Sequence, residues 1–458
     1  MTRPGRAARG WSQLVLEVIL ITLACVLLQV LAERTNHRVD LTPTRALSLS
    51  PVTKNVLAQV TEPLHLTVYH RRGEREVFAG LLDRLRTEHP GVTYELLDLD
   101  RYPERARGDG VTQYGRAVIE YQGRRVIVPA QPEEQLAGGI LEAVHGRRRR
   151  AVLTTGHGER VPTADPQGIS RFLAGLDEQG MTVDVVNLLD SRLPAETDLV
   201  IVAGPKRDFL PDELAALAEY LKSGGGLLLL LDPNPLPMMQ AFLAAMGIAL
   251  GDDFVVDHER RVLATDGLAA VVEQFRSGNP ISEPAQNPIE SGVILPSART
   301  VDVVREVPGV AAESIARTGD SAWAMADVGR ARRGEEPSKA AHDAPGPLSV
   351  IVVAEVGGGE GKRPGRLVVV GDSDFASDAY LDVLGNRDVA LNAVAWVGGE
   401  EELAGERPKT VPEVQRPLSP LVLTEQGARR LLATVAGVVP GLVLLTGVLV
   451  ATVRRRLG

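Results

Sequence analysis

The groups of this chain that could perform chemistry are an imidazole and several carboxyl groups placed directly after apolar segments. They follow the segments 151–154, 227–231 and 367–370, each of which reads as a strand buried on both faces. The candidates are Gly156, His157, Gly158, Glu159, Asp232, Asp372 and Asp374. Because the strands of a parallel sheet end at one edge, we expect these groups to lie together there as a ligand- or partner-binding site.

Two interpretations of this edge are open from the sequence. Carboxylates that converge with an imidazole could bind a divalent cation or perform acid–base chemistry. Polar residues flanked by glycine could instead form turns and cap helices, which Asp and Ser do well. The sequence has no G-x-S-x-G nucleophile elbow, phosphate loop or dinucleotide fingerprint after a strand. We therefore predict a protein that is not an enzyme and holds no cofactor or metal.

The elements expected to position these groups are apolar strands that alternate with amphipathic helices. This order predicts an open α/β domain over residues 148–405, with a parallel sheet of the flavodoxin or glutamine-amidotransferase-like type. Residues from about 258 to 346 are rich in Gly, Pro, Ser and charge. They are predicted to form a partly irregular insertion in that domain.

The preceding residues, 46–146, predict a separate and smaller domain. A helix should begin after Ser50, because Ser50 can cap it and Pro51 fits its first turn. The order strand, helix, strand, hairpin, helix resembles a thioredoxin-like fold, with the hairpin turn at Gln122-Gly123. Thioredoxins act through a C-x-x-C pair, which this segment lacks, so the fold would serve as a scaffold.

Two apolar segments, residues 11–32 and 431–453, are each long enough to cross a bilayer as a helix. Arginines flank both segments on the sides of the chain ends: Arg3, Arg6, Arg9, Arg454, Arg455 and Arg456. The positive-inside rule then predicts cytoplasmic tails at 1–10 and 454–458, a linker at 406–430, and an extracytoplasmic body. The predicted location is the cell (inner) membrane, with the bulk of the chain periplasmic.

Three residues of these apolar segments have a specific interpretation. Glu17 could reach the lipid headgroups or pair with a polar group on a partner helix, and Pro440 should kink the second segment. Both are candidate contacts with other membrane helices. Cys25 is the single cysteine of the chain, which excludes a disulfide framework. A lipoprotein signal ending at Cys25 is the less favoured alternative to a membrane anchor.

The charge of the chain bears on its partners. The net charge of −9 is spread along the sequence, and no basic face of the kind that binds nucleic acid is present. One basic run, Arg147 to Arg150, precedes the strand at 151–154. A solvated linker between the two domains is the favoured interpretation of this run, and a lipid-binding patch is the alternative.

Several segments resemble the GldG-type, gliding-motility-associated auxiliary components of ABC transporters. The matching segments are LSPVTKNVLAQVTEPLHLTVY, TTGHGE, DLVIVAGP, YLKSGGGLLLLLDP, VILPSART, VVVGDSDFASD and GNRDVALNAVAWVGGEEELAGERPK. The resemblance implies an extracytoplasmic domain that works with an ABC-2-type permease and a separate ATPase subunit at a membrane. It implies no catalytic residues. A membrane-tethered hydrolase, or a ligand-binding sensor for cell-envelope material, is the alternative function.

The fold class expected from the sequence is therefore α/β in two domains. A thioredoxin-like domain is followed by a flavodoxin/glutamine-amidotransferase-like parallel-sheet domain, and N- and C-terminal transmembrane helices flank the pair.

Overall fold

The computed structural model describes residues 48–189, 192–194, 196–257, 260–262, 269–282, 292–333, 338–357, 363–400 and 422–424. Its helices are α1 Pro51–Ala58, α2 Arg75–Glu88, α3 Pro103–Gly108, α4 Glu133–His145, α5 Ser170–Glu178, α6 Pro211–Lys222, α7 Pro237–Ala244, α8 Val328–Arg332 and α9 Asn386–Val397. A 3₁₀ turn covers Asp374–Ala376.

Strands β1 to β10 lie in the first part of the described chain. They are β1 Leu64–His70, β2 Val92–Asp98, β3 Arg116–Tyr121, β4 Arg124–Pro129, β5 Arg149–Thr155, β6 Met181–Asn187, β7 Leu199–Ala203, β8 Gly226–Leu230, β9 Ile248–Leu250 and β10 Phe254–Asp257. The later strands are β11 Arg260–Val262, β12 Ala270–Phe275, β13 Val293–Leu295, β14 Val301–Val303, β15 Val310–Thr318, β16 Ala322–Met325, β17 Ala344–Pro345, β18 Ser349–Val356, β19 Gly365–Val370 and β20 Val422–Thr424.

The first sheet has four strands in the order β2-β1-β3-β4. Strand β1 runs parallel to β2 and antiparallel to β3, and the turn between β3 and β4 contains Gln122 and Gly123, as the sequence predicts. Helix α1 begins as expected, because the Ser50 hydroxyl accepts a hydrogen bond from the Thr53 amide at 3.1 Å. Apolar residues of α1, α2 and α4 pack on this sheet and form its core.

The second sheet has nine strands in the order β13-β12-β15-β18-β19-β8-β7-β5-β6. Strands β19, β8, β7, β5 and β6 run parallel. Strands β18, β15, β12 and β13 extend the sheet in antiparallel order. Helices α5 and α9 contribute to the core on one face, and α6 and α7 contribute to the core on the other. Several of the added strands come from residues 258–346, the predicted insertion.

The fold class predicted from the sequence is corrected by this structure, which is a mixed α/β protein with several sheets. The second sheet is not a parallel sheet of the amidotransferase type. Strand β18 is apolar and buried like its neighbours, but only residues 357–364 connect it to β19. A parallel neighbour needs a crossover of about a dozen residues or more, so the two strands pair antiparallel.

The structure also gives no support for the predicted N- and C-terminal transmembrane helices. Within the part of the chain that the structure describes, no helix combines the length and the hydropathy needed to span a membrane. Residues 11–32 and 431–453, with Glu17, Cys25 and Pro440, lie outside the described residues.

Helix α4 lies between the two sheets and contacts both sides. A Cβ atom added at Gly138 would lie 2.2 Å from the Glu178 carbonyl oxygen at the end of α5. A Cβ atom added at Gly139 would lie 2.7 Å from the Val128 side chain of β4. Two successive glycines therefore let one helix approach the first sheet and α5 at the same time. Ala395 of α9 also belongs to the core of the first sheet, so the two sheets share apolar contacts.

The first turn of α4 contains a largely buried carboxyl group, Glu134. Burial raises its pKa to about 7, and the nearby charges of Glu178 and Glu133 act in the same direction. Its Oε2 atom is buried and receives no hydrogen bond from the described residues. Ionisation of Glu134 therefore opposes the packing of α4.

We expect Glu134→Gln to stabilise the protein above neutral pH. The raised pKa contributes stability that is full below about pH 4.5 and is lost as the pH rises through about 7. The free energy of unfolding in urea should favour the variant by about 2 kcal/mol more at pH 8 than at pH 5. Glu133→Gln is the matched control at the same helix end. Equal, pH-independent effects of the two variants would contradict this explanation.

Candidate functional site

Three carboxyl groups meet where β8 and β19 end. Asp232 follows β8, and Asp372 and Asp374 follow β19, its neighbour in the parallel part of the sheet. One oxygen from each lies within 4.8 Å of one oxygen from each of the others. We call this group the acidic rim. The sequence places these residues at one sheet edge, and the structure brings them together.

The guanidinium group of Arg160 reaches into the acidic rim. Its Nη2 atom donates a hydrogen bond to Asp374 Oδ1 at 2.5 Å and lies 3.9 Å from Asp232 Oδ2. Its Nε atom donates to the Ser373 hydroxyl at 2.8 Å. The Arg160 amide bonds to the Ala203 carbonyl at the end of β7, which fixes the segment that carries this side chain. The strong hydrogen bonds of a charged donor therefore neutralise part of the rim.

The remaining oxygens of the rim accept hydrogen bonds from their own surroundings. Ser373 donates its amide to Asp232 Oδ1 at 2.6 Å and its hydroxyl to Oδ2 at 2.8 Å. Asp372 accepts the amides of Ser297 at 2.6 Å and Phe375 at 2.9 Å. Asp372 and Ser373 are fully buried. Each of the three carboxylates is thus engaged inside the protein.

A second arginine, Arg299, lies beneath the rim and is fully buried. It donates from Nη1 to the carbonyl oxygens of Asp232 at 3.0 Å and Asn234 at 2.8 Å. Its other nitrogen atoms bond to the Gly251 carbonyl and to the Asp252 carboxylate. Its backbone amide donates to the Gly371 carbonyl. Arg299 therefore holds the loop after β8 against the loop after β19.

Burial controls the protonation of the rim. It raises the pKa of Asp372 well above the usual range, and the charges of Asp374 and Asp232 add to this effect. Burial also raises the pKa of Asp232, with a further contribution from Asp374, while Arg160 and the Ser373 hydrogen bonds oppose it. A buried carboxyl group that stays protonated costs far less than a buried charge. Each raised pKa lowers the negative charge that Arg160 has to offset.

His157 belongs to a different cluster. Its Nε2 atom lies 3.0 Å from Glu213 Oε2, and its Nδ1 atom lies 3.4 Å from Glu159 Oε1. Its ring stacks on Phe209 at a centroid distance of 4.1 Å, and all three polar side chains are at least 95% buried. Glu159 also accepts hydrogen bonds from the His157 amide and the Thr154 hydroxyl. These contacts hold the turn after β5 against α6.

The two glycines of the same segment have backbone conformations that explain their identity. Gly156 has a φ angle of +116°, and a Cβ atom there would lie 2.5 Å from the Asn187 side chain. Gly158 has a φ angle of +82° and lies against Lys206. Positive φ angles are readily adopted only by glycine. The structure therefore gives both residues a role in the turn.

Sequence reasoning missed three residues of these clusters: Arg160, Ser373 and Glu213. The signals were nevertheless present. Arg160 directly follows the G-H-G-E segment, Ser373 stands between the two aspartates, and Glu213 is the third residue of α6. Glu213 accepts the Leu210 amide at 2.7 Å, as an acidic residue at this position of a helix commonly does.

The chemistry open to the acidic rim is limited by these contacts. Asp232, Asp372 and Asp374 are the described residues that could jointly hold a metal ion. A cation entering between them would have to displace the Arg160 guanidinium and compete with four hydrogen bonds from Ser373, Ser297 and Phe375. The Ser373 hydroxyl contacts a carboxylate, but it is fully buried and out of reach of a substrate. In this structure the rim is therefore occupied by Arg160 and by hydrogen bonds from within the protein.

Comparison with known protein families gives an informative match. Residues 148–396, more than half of the chain, match the family model described as "ABC-type uncharacterized transport system". None of the curated proteins matches.

Among solved structures, the N-terminal domain of mmIFT52 is similar at 18% identity and a TM-score of 0.40, covering 54% of this chain and 96% of that one. A ThuA-like protein from Parabacteroides merdae is similar at 13% identity and a TM-score of 0.35, covering 58% and 94%. Neither likeness is strong enough to identify a function. The family model, in contrast, matches more than half of the chain, so the chain belongs to the family of auxiliary components of ABC-type transport systems.

Proposed function

We propose that the chain is a non-catalytic auxiliary subunit of the GldG type. In this proposal it serves an ABC-2-like transport system and presents a partner- or substrate-binding domain to a permease that works with a separate ATPase subunit. Membership of the auxiliary family supports the transport role. The segments that carry the resemblance, from TTGHGE to GNRDVALNAVAW, fall within the matched residues 148–396, while LSPVTKNVLAQVTEPLHLTVY lies outside them.

The observation that carries the non-catalytic assignment is the closure of the acidic rim. Catalysis by acid–base or nucleophilic groups needs side chains that can reach a substrate. Asp372 and Ser373 are fully buried, and Arg160 occupies the space between the more accessible carboxylates, Asp232 and Asp374. His157 is buried between two glutamates. These contacts favour a structural role for the groups that an enzyme would use.

The alternative, a hydrolase for cell-envelope material, is favoured by one observation. The Ser373 hydroxyl donates to Asp232 and accepts from Arg160, an arrangement that could polarise a nucleophile if the rim opened. The variant Ser373→Ala separates the two functions, because it removes the hydroxyl and leaves the charged groups in place.

We expect a tagged full-length chain, extracted in mild detergent, to co-purify with a permease and an ATPase. Ser373→Ala should recover the same partners and support the same transport, because the hydroxyl contributes about 1–2 kcal/mol to stability and nothing to chemistry. Recovery of the chain without transporter subunits would contradict the partnership. A folded Ser373→Ala protein that keeps its partners but loses function would instead support the hydrolase.

A second test uses the charge balance of the rim. Arg160→Gln removes the guanidinium that offsets the buried carboxylates, so we expect a loss of about 3–5 kcal/mol in the free energy of unfolding at pH 8. Without Arg160 the carboxyl pKa values rise further, so protonation at pH 5 should recover part of this loss.

The matched control for this variant is Arg171→Gln, which breaks an exposed pair with Asp382 and should cost less than about 1 kcal/mol. Adding Asp374→Asn to Arg160→Gln should restore stability at pH 8. If the two arginine variants behave alike, the rim does not depend on Arg160 for its charge balance.

We also propose that the described domains act on the extracytoplasmic side of the cell membrane. The chain has one cysteine, so a Cys25→Ser background allows cysteines to be placed singly. Ala216→Cys, on the exposed side of α6, should react with a membrane-impermeant maleimide in intact cells. Ala390→Cys, which is 1% exposed, should react only after denaturation. Labelling of Ala216→Cys only after permeabilisation would place the domains in the cytoplasm.

A further inference from the structure

A cavity of about 410 Å³ lies at the edge of the second sheet opposite to the acidic rim. Its charged and titratable lining residues are His145, Arg147, Arg149, Asp198, Arg363 and Glu400. Arg149 begins β5, while Asp198 and Arg363 lie just before β7 and β19, so the cavity is at the amino-terminal ends of parallel strands. Its volume is in the range of about 300–1,000 Å³ that is usual for small-ligand sites.

The charges of this arginine cavity do not cancel. Arg147 donates two hydrogen bonds to Asp198, at 2.8 and 2.5 Å. Arg149 lies 2.7 Å from Glu400, which is also 3.4 Å from His145. No described residue forms an ion pair with Arg363. Among the described residues that line the cavity, three guanidinium groups therefore face two carboxylates, and the charge of Glu196 nearby also acts on Arg147.

Apart from Arg149, the cationic groups of the cavity are more accessible than its carboxylates. The side chains of Arg147 and His145 are 53% and 35% exposed, and Arg363 is exposed as well. The two carboxylates lie deeper, with Asp198 at 23% and Glu400 at 10%. A solute that enters the cavity therefore meets guanidinium and imidazole groups before it meets a carboxylate.

Arg149 provides positive charge at the buried side of the cavity. Its side chain is 8% exposed, and its Nη1 and Nη2 atoms receive no hydrogen-bond partner among the described residues, although Nη2 contacts the charge of Glu400. Burial lowers its pKa, and the charge of Glu400 opposes that shift. A buried guanidinium with unmade hydrogen bonds gains from any additional negative charge nearby, because its interactions are weakly screened.

The helix ends near the cavity do not offset this charge. Helices α4 and α9 both end there, and unsatisfied C-terminal carbonyl groups would favour cations. The Ala143 and Val144 carbonyls of α4 accept hydrogen bonds from Arg124. The last carbonyls of α9 accept the amides of Gly398 and Gly399. Side chains therefore set most of the charge balance of the cavity.

We propose that the arginine cavity binds a phosphate-class oxyanion, either free or carried on a lipid headgroup. Guanidinium groups match the geometry of phosphate oxygens, and Arg147 and Arg363 are the accessible donors while Arg149 acts through its charge. This site goes beyond the proposed function. It also gives the arginines of the basic run, Arg147 to Arg150, different roles. Arg147 and Arg149 line the cavity, whereas Arg148 and Arg150 pair with Asp177 and Asp184 outside it.

The test is titration calorimetry of the full-length chain with inorganic phosphate, at constant ionic strength set with chloride. Arg363→Gln should weaken phosphate binding about tenfold, because it removes an accessible charged donor. Arg148→Gln, from the same run but outside the cavity, should leave the affinity unchanged. Equal affinities for the two variants, or no heat beyond that of chloride, would overturn the proposal.

Glu400→Gln gives a result that a purely structural salt bridge does not predict. Removing this carboxylate should tighten phosphate binding about threefold or more, because it competes for Arg149. Arg149→Gln alone would leave Glu400 buried without its partner, so the double variant Arg149→Gln/Glu400→Gln is used instead. It should fold and bind phosphate at least about tenfold more weakly than Glu400→Gln. Unchanged affinity in both variants would exclude the site.

A second arm identifies the source of the oxyanion. Dihexanoyl phosphatidylglycerol, kept below its micelle concentration, carries the phosphate group on a lipid headgroup. Tighter binding of this lipid than of inorganic phosphate, with the same loss in Arg363→Gln, would assign the cavity to headgroups. Tighter binding of inorganic phosphate would assign it to a soluble ligand, and absence of binding by both would contradict the proposal.

Discussion

The structure depends on keeping three carboxyl groups inside the protein at the ends of β8 and β19. An isolated buried carboxylate is prohibitively costly, so such groups must be protonated, paired or hydrogen-bonded. Here all three solutions are combined. Burial raises the pKa of Asp372, Arg160 pairs with Asp374, and Ser373 and backbone amides satisfy Asp232 and Asp372. These contacts connect the loops after β5, β8 and β19, so the rim joins the parallel half of the sheet.

This constraint connects the segments that the sequence suggested as candidate sites. Arg299 and Ser297, from the VILPSART segment, bond to the loops after β8 and β19. Arg160, which follows G-H-G-E, bonds to the GDSDF segment. In this structure the residues of each motif contact the loop that carries another motif. Such motifs are specific only as a set, because the residues of each motif bond to a loop elsewhere in the chain.

The sequence predicted the parts of the fold that follow from local patterns. Two examples are the cap that Ser50 forms on α1 and the turn at Gln122-Gly123. The sequence also predicted that Asp232 and Asp372 lie close together, because the carboxyl ends of neighbouring parallel strands lie at the same edge of a sheet. The direction of β18 was missed, since burial on both faces does not encode strand direction. The pairing of Arg160 with Asp374 was missed because 214 residues separate them. The contact of His157 with Glu213 was missed as well, because nothing local in the sequence indicates it.

A closed carboxyl edge changes where a ligand should be sought in this sheet. Open α/β sheets usually bind ligands at the carboxyl ends of their strands, where loops leave a crevice. In this chain the crevice is filled by Arg160 and its hydrogen-bonded partners, so that edge provides rigidity. The opposite edge contains a cavity in which Arg147 is more exposed than the carboxylates of Asp198 and Glu400, beside α4, the helix that contacts the first sheet and α5. An oxyanion bound there would add contacts between residues near the ends of α4, β5 and β19 and would stabilise the packing between the two sheets.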